Sequence, residues 1–304
     1  MVSGILVVSA NAWMNSPAGF RWQDGRAFDV DPVAAMFNEA WFSMALHMTL
    51  AAFVSTSFAV AGVHALALLK HPEHALHRRA LRIALGFGAV CALLQPLSGD
   101  FSAKDVARRQ PAKLAAMEAH YHTERGAPLV LLGLPNDEKQ RVDYAIEIPY
   151  ALSVLAFGDL DAEVAGLDRV PPDARPNTWV CHVAFQIMVI AGGLLALLSL
   201  AYGYLRWRRP ELIYRRPFLT LLAWSTPLGF IAVEAGWTVT EVGRQPWIIY
   251  GVMRTRDAVS PMPGLQWPLY ISIFVYTVLG VVVTALMRRL VRKLEVGAGG
   301  GGHG

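Results

Sequence analysis

Two side chains able to bind iron stand at similar depth in a strongly apolar chain. His47 lies about nine residues into one long apolar run and Met188 about nine residues into another, each counted from the same end, which at 1.5 Å per residue is roughly 13 Å of depth. An ionisable side chain placed there is costly enough that it faces a cavity, a partner or a cofactor. Imidazole nitrogen and thioether sulfur can ligate a haem iron from opposite faces, which leaves no coordination site open and suits electron transfer. The competing reading is structural: a hydrogen-bonded intramembrane histidine, and a methionine filling an irregular gap.

A denser cluster follows in a later run. Glu234, Trp237 and Glu241 precede Gly243-Arg244-Gln245-Pro246-Trp247. Residues seven apart fall close to two helical turns, so Glu234 and Glu241 share a face with Trp237 between them. A carboxylate near a helix end can bind a metal or carry protons, and Arg244 can neutralise a haem propionate. Equally, the set reads as an interfacial belt with its carboxylates in water. In a third place, Lys113-Leu-Ala-Ala-Met-Glu118 has helical character, but a spacing of five exceeds the ideal four for an ion pair. On chemistry alone it is a solvated helix.

The elements that must position these residues are apolar runs. Of 304 residues, 54% are hydrophobic and 16% charged, against about a quarter charged in soluble domains. Five runs reach the roughly 20 residues needed to cross a bilayer: Asn38–Leu69, Ala80–Ser98, Trp179–Leu205, Phe218–Glu241 and Pro268–Leu290. Met1–Met14 is apolar but too short, lacks a signal-peptide pattern, and reads as the last part of a helix. The fold class is an all-α polytopic transmembrane bundle of about five complete spans plus a partial amino-terminal one. Basic clusters at Lys70–Arg82, Arg206–Arg216 and Arg288–Lys293 alternate correctly for five spans and place those loops in the cytoplasm. Gly99–Thr178 and Val242–Trp267 then lie outside. The net charge of +4 is a topology signal and gives no reason to invoke nucleic acid. Cys91 and Cys181 provide no disulfide framework. The apolar stretches Ala127–Leu134 and Ile146–Phe157 suggest that the long outer segment packs on the membrane surface. Gly297–Gly304 reads as a disordered tail.

Several motifs, in order, resemble subunit I of cytochrome bd-type quinol oxidases. They are Asn11-Ala-Trp-Met-Asn-Ser-Pro17, His47 in its run, Gln110-Pro-Ala-Lys113 through Glu118, Ile148-Pro-Tyr150, Gln186-Ile-Met188, and Glu234-Ala-Gly-Trp237 through Gly243-Arg-Gln-Pro-Trp247. The resemblance covers nearly the whole chain. It implies that His47 and Met188 are the axial ligands of low-spin haem b. It makes Glu241 the carboxylate ligand of a high-spin haem b, with Trp237 and Arg244 in the haem surroundings. Lys113 and Glu118 fall at positions that bind and oxidise quinol in the outer loop, the Q-loop, here of the short type.

The same resemblance implies an electrogenic quinol:oxygen oxidoreductase of the bacterial cytoplasmic membrane that contributes to the proton-motive force. Quinol, as ubiquinol or menaquinol, would be oxidised at the extracytoplasmic side, and oxygen reduced to water at a site holding high-spin haem b with haem d or a further haem b. Partners would be oxidase subunit II and a small accessory subunit. The implied division is residues 1–98 with His47, the Q-loop at 99–178, residues 179–294 with Met188 and the Glu241 region, and the tail at 295–304. Gln186 stands where some members have arginine. The match begins after the family's first helices, so an amino-terminally truncated form is expected, lacking an oxygen-site histidine and a proton path. A non-catalytic haem-binding or assembly fragment is the alternative. A transporter is disfavoured, since no inverted repeat is evident.

Overall fold

The computed structural model describes residues 2–299, with side chains from 3 to 289. It divides into two units, Met1–Ala258 and Val259–Gly304. The first begins with α1 (Val2–Asn15), a small hairpin of β1 (Arg21–Gln23) and β2 (Arg26–Phe28), and α2 (Pro32–Met36). Asp31 caps α2, its Oδ1 accepting from the amides of Val33 and Ala34. Two long helices follow, α3 (Trp41–Lys70) and α4 (Ala75–Arg109).

The outer segment comes next. It comprises α5 (Pro111–Glu118), β3 (Glu124–Arg125), β4 (Leu129–Asn136), β5 (Arg141–Ile148), α6 (Ala151–Phe157) and β6 (Glu163–Val164). The chain then re-enters the bundle through α7 (Thr178–Arg208), α8 (Arg216–Ser225) and α9 (Leu228–Val242), and closes this unit with a hairpin of β7 (Trp247–Ile249) and β8 (Met253–Arg254). The second unit carries α10 (Gln266–Gly299). Among the described residues five segments are long and apolar enough to cross a membrane: Trp41–Lys70, Ala75–Arg109, Thr178–Arg208, Arg216–Val242 and Gln266–Arg289.

The five expected spans are therefore present, with three changes. The second does not stop at Ser98: α4 continues to Arg109, carried by i,i+4 pairs Asp100–Lys104 at 2.6 Å and Asp105–Arg109 at 3.4 Å, and by buried Ala107. Apolar content ended at the membrane boundary, but helix propensity did not. The fourth span breaks into α8 and α9 at Thr226–Pro227, where proline removes a backbone donor from the helical ladder although both residues keep right-handed helical dihedrals. The outer segment is not only surface-packed apolar chain. Its Leu129–Ile148 stretch is an antiparallel hairpin, β4 with β5, and only after it does α6 begin. Of the expected disordered tail, residues 295–299 continue α10, and residues 300–304 lie outside the described part.

The main core joins α3, α4, α7 and α8 around Phe58, Leu68, Leu81, Leu85, Leu195, Leu219 and Leu222. In a bilayer, lipid tails are as apolar as leucine, so helices associate through close packing, which small residues permit. Gly88 of α4 lies so near α3 that a Cβ there would meet Ser57 Cβ at 2.5 Å, and Gly229 of α9 would meet Ser55 Cα at the same distance. α3 is thus gripped from two sides by helices that carry or face the residues of interest.

Candidate functional site

His47 occupies the second turn of α3 and faces Gln95 and Ser98, one turn apart on α4. Ser98 Oγ gives its hydrogen to the Gln95 carbonyl at 2.8 Å, so at 3.0 Å from His47 Nδ1 it can only accept. Gln95 Nε2 lies 3.3 Å from His47 Nδ1 and 3.2 Å from Nε2, so the amide covers both ring nitrogens. A second hydrogen bond on the far nitrogen is how metal-binding histidines are oriented.

Met188, on α7, lies against α9 where a Cβ on Gly236 would be 2.8 Å from its sulfur. α9 packs against both α3 and α7, so one helix adjoins both candidate ligand-bearing helices. Among the described residues no group of three or more His, Cys, Asp or Glu side chains is arranged for a bare metal ion. One nitrogen donor and one thioether instead suit a metal that brings most of its own ligands, as haem does.

Arg244 supplies a further observation. It is 2% exposed, and its Nε and Nη1 are buried without hydrogen-bond partners among the described residues, while Nη2 donates to Glu241 Oε2 at 2.5 Å. Burial lowers its pKa from the usual arginine range. A buried guanidinium with two free donors is a receptor for an anionic group, and a haem propionate fits that chemistry. Glu241 is engaged at both oxygens, since Oε1 accepts from Asn11 Nδ2 at 2.6 Å. The expected face of Glu234, Trp237 and Glu241 does not act as one. Glu234 is exposed and Trp237 is 39% exposed, whereas Glu241 turns toward α1.

α5 is buried where a solvated helix was the plain chemical reading. Pro111 opens it, and Ala119 in the left-handed region closes it, with Lys113 and Glu118 each 5% exposed. Its sequence KLAAME is small on the faces that pack, so it settles among α4, α7 and Leu167. Burial, then the charge of Arg244, brings the Lys113 amine down to about 7. Burial alone pushes the Glu118 carboxyl up to about 8, and its Oε2 has no partner among the described residues. Both groups thus titrate close to neutrality, as proton-exchanging groups must. The two do not pair with each other: Lys113 Nζ donates to Asn15 Oδ1 at 2.6 Å.

The structure brings Lys113, Glu241 and Arg244 into one polar network through residues given no role in the sequence reading. Asn11, Asn15 and Gln110 link them. His182 was also missed: it is fully buried on α7, with Nδ1 2.7 Å from the Met117 carbonyl, tying α5 to the helix of Met188. Gln186 bridges the same region, donating to Val130 of β4 at 2.9 Å. The available signal was two asparagines four apart inside an apolar helix, a costly placement without a partner.

The sequence model for "Cytochrome bd terminal oxidase subunit I" matches residues 1–295. The chain is 37% identical over 300 residues to a putative cytochrome bd menaquinol oxidase subunit I of Bacillus subtilis (strain 168), covering 97% of this chain and 67% of that protein. It is 30% identical over 315 residues to cytochrome bd ubiquinol oxidase subunit 1 of the same organism, covering 98% and 66%. The solved structure of bd oxidase from Geobacillus thermodenitrificans superposes with a TM-score of 0.87 at 36% identity, covering 96% of this chain and 67% of that one. The chain thus spans about two thirds of the length of these relatives. With the family model matching residues 1–295 and five segments long and apolar enough to cross a membrane, this is an integral membrane protein of the cytochrome bd terminal oxidase subunit I family.

Proposed function

We propose that this chain is the quinol-oxidising, haem-holding subunit of a cytochrome bd-type quinol:oxygen oxidoreductase. The overall reaction takes two quinols and one oxygen to two quinones and two waters. The observation that carries the reading is α5, which buries Lys113 and Glu118 with pKa values of about 7 and about 8 on the helix tied to α7, the helix of Met188. A quinol hydroxyl must lose a proton as its electron leaves. Groups that titrate near neutrality can bind that hydroxyl and accept the proton.

In this reading His47 and Met188 would hold low-spin haem b, Glu241 would hold a high-spin haem b, Trp237 would line the haem surroundings, and Arg244 would pair with a propionate. When bound, these haems, with haem d or a further haem b, supply the one-electron steps and the reduction of oxygen. Ser98 orients the His47 ring through Nδ1. Lys113 and Glu118 orient quinol, as ubiquinol or menaquinol, on the extracytoplasmic side of the bacterial cytoplasmic membrane. Releasing quinol protons there, while protons for water come from the cytoplasm, contributes to the proton-motive force. Subunit II and a small accessory subunit complete the assembly.

The test is spectroscopic first. Membranes carrying the oxidase with this chain should give a low-spin haem b band in reduced-minus-oxidised spectra that His47→Ala and Met188→Leu each abolish. An unchanged band in either variant would overturn the ligand assignment. Quinol-dependent oxygen uptake by the purified complex, lost in Glu118→Gln, tests the outer site.

A further inference from the structure

Asn15 ends α1 at 4% exposure and uses all of its side-chain hydrogen-bonding capacity. Its Oδ1 accepts from Lys113 Nζ at 2.6 Å and from Gln110 Nε2 at 3.1 Å. Its Nδ2 donates to the Asn11 carbonyl at 2.9 Å and to Asn11 Oδ1 at 3.0 Å. Asn11 Nδ2 in turn donates to Glu241 Oε1 at 2.6 Å. Gln110 also donates to the Asn15 backbone carbonyl at 2.6 Å, which pins the asparagine from a second direction.

Chemistry fixes which way each amide faces. The Asn11 backbone carbonyl only accepts, so the Asn15 atom beside it is nitrogen and the Asn15 oxygen is the atom that faces Lys113. The Asn15 amino group must then face Asn11, whose oxygen accepts, and the Asn11 amino group must face Glu241. An ionised carboxylate only accepts, so the far end closes consistently. Two amide dipoles therefore lie head to tail, oxygen toward the cation and nitrogen toward the anion, an arrangement in which each bond strengthens the next. A buried lysine without such an acceptor would carry the full cost of an unmade bond.

We propose that Asn15 is a positioning residue for quinol oxidation: it fixes the Lys113 amine in the quinol site. This rests on the reading of Lys113 as a quinol-binding group.

The test uses the assembled oxidase carrying the full chain, with three variants. Asn15→Leu removes both ends of the relay, Asn15→Asp keeps an acceptor for Lys113 and Gln110 in the same place, and Lys113→Met removes the amine. Equilibrium binding of a hydroxyquinoline N-oxide, a quinone analogue, is read by fluorescence quenching beside quinol KM and kcat. Asn15→Leu should weaken analogue binding and raise KM by about tenfold, the order expected for losing a hydrogen bond to a charged group. Its low-spin haem content should be retained and its kcat held within about twofold, while Asn15→Asp stays within about threefold of wild type in affinity. Wild-type affinity in Asn15→Leu beside an impaired Lys113→Met would overturn the role of Asn15 alone. Equal impairment of Asn15→Asp and Asn15→Leu, or loss of low-spin haem in both, would make Asn15 a purely structural residue and overturn the proposal. An unimpaired Lys113→Met would sink the quinol reading of Lys113 and this proposal with it.

Discussion

Ser98 Oγ lies 3.0 Å from His47 Nδ1 and donates its own hydrogen to the Gln95 carbonyl, so it stands to the imidazole as an acceptor. In the proposed haem site that bond orients the ring and raises its basicity. Ser98→Ala should leave the bundle folded but lower the low-spin haem b retained per protein, by weakening haem affinity about 10- to 100-fold, while Ser98→Thr keeps it. Haem-to-protein ratios after dialysis measure this, and equal retention in Ser98→Ala would remove the serine from the site.

Gly236 leaves room for the Met188 sulfur. A methyl group there would come within 2.8 Å of Sδ, closer than real contacts allow, and methionine is flexible enough to move away. Gly236→Ala should therefore displace the thioether and convert the low-spin spectrum toward a high-spin one, with little change in thermal stability. A normal low-spin band in this variant would contradict the placement of Met188.

Glu118 makes folding pH-dependent with a definite sign. Its carboxyl titrates at about 8 when folded and near the ordinary 4.5 when unfolded, so between those values the folded state binds more protons. Stability contributed by this group falls as pH rises through that window, by up to about 5 kcal/mol. Glu118→Gln should be more stable than wild type, with a gap that widens from pH 5 to 8 and then levels. Thermal unfolding across that range in detergent checks it; a constant gap would mean that the carboxyl is solvated.

Lys113 acts in the opposite window. Its amine titrates at about 7 when folded against 10.5 unfolded, so between these values the unfolded state binds more protons and stability rises with pH. Lys113→Met should exceed wild-type stability most below pH 7, with the advantage shrinking as pH climbs toward 10.5, while quinol KM rises. Together the two groups place the stability minimum near pH 7 to 8, a cost characteristic of a functional site. A pH-independent difference between Lys113→Met and wild type would show that the amine is not desolvated.

Gln186 connects the outer hairpin to α7 through Val130. Its replacement by leucine should leave both haem spectra in place and loosen the hairpin, read as faster amide hydrogen exchange over Leu129–Ile148. Unchanged exchange there would assign the tie to backbone packing instead.

Composition and apolar run length were enough to read five spans, because the bilayer requires about 20 apolar residues whatever the neighbours do. His47 and Glu241 were legible as candidate chemistry because ionisable side chains in such runs are expensive, and Met188 because its depth matches that of His47. The boundaries were less legible. Gly99–Arg109 is charged and reads as loop, yet its ion pairs and buried Ala107 keep it helical.

What the sequence by itself determined is the identity and depth of the expensive residues, since those follow from local composition and helical rise. What only the tertiary structure decided is who meets whom. Lys113 and Glu118, five residues apart, looked like a mismatched surface pair, but α5 is buried and turns Lys113 to Asn15, 98 positions away, while Glu241 finds Asn11 at a separation of 230. No local rule links residues that distant. The bonds form because the fold brings α1, α5 and the end of α9 within hydrogen-bonding reach, where the buried Asn11, Asn15 and Lys113 must be satisfied by whichever partner lies there.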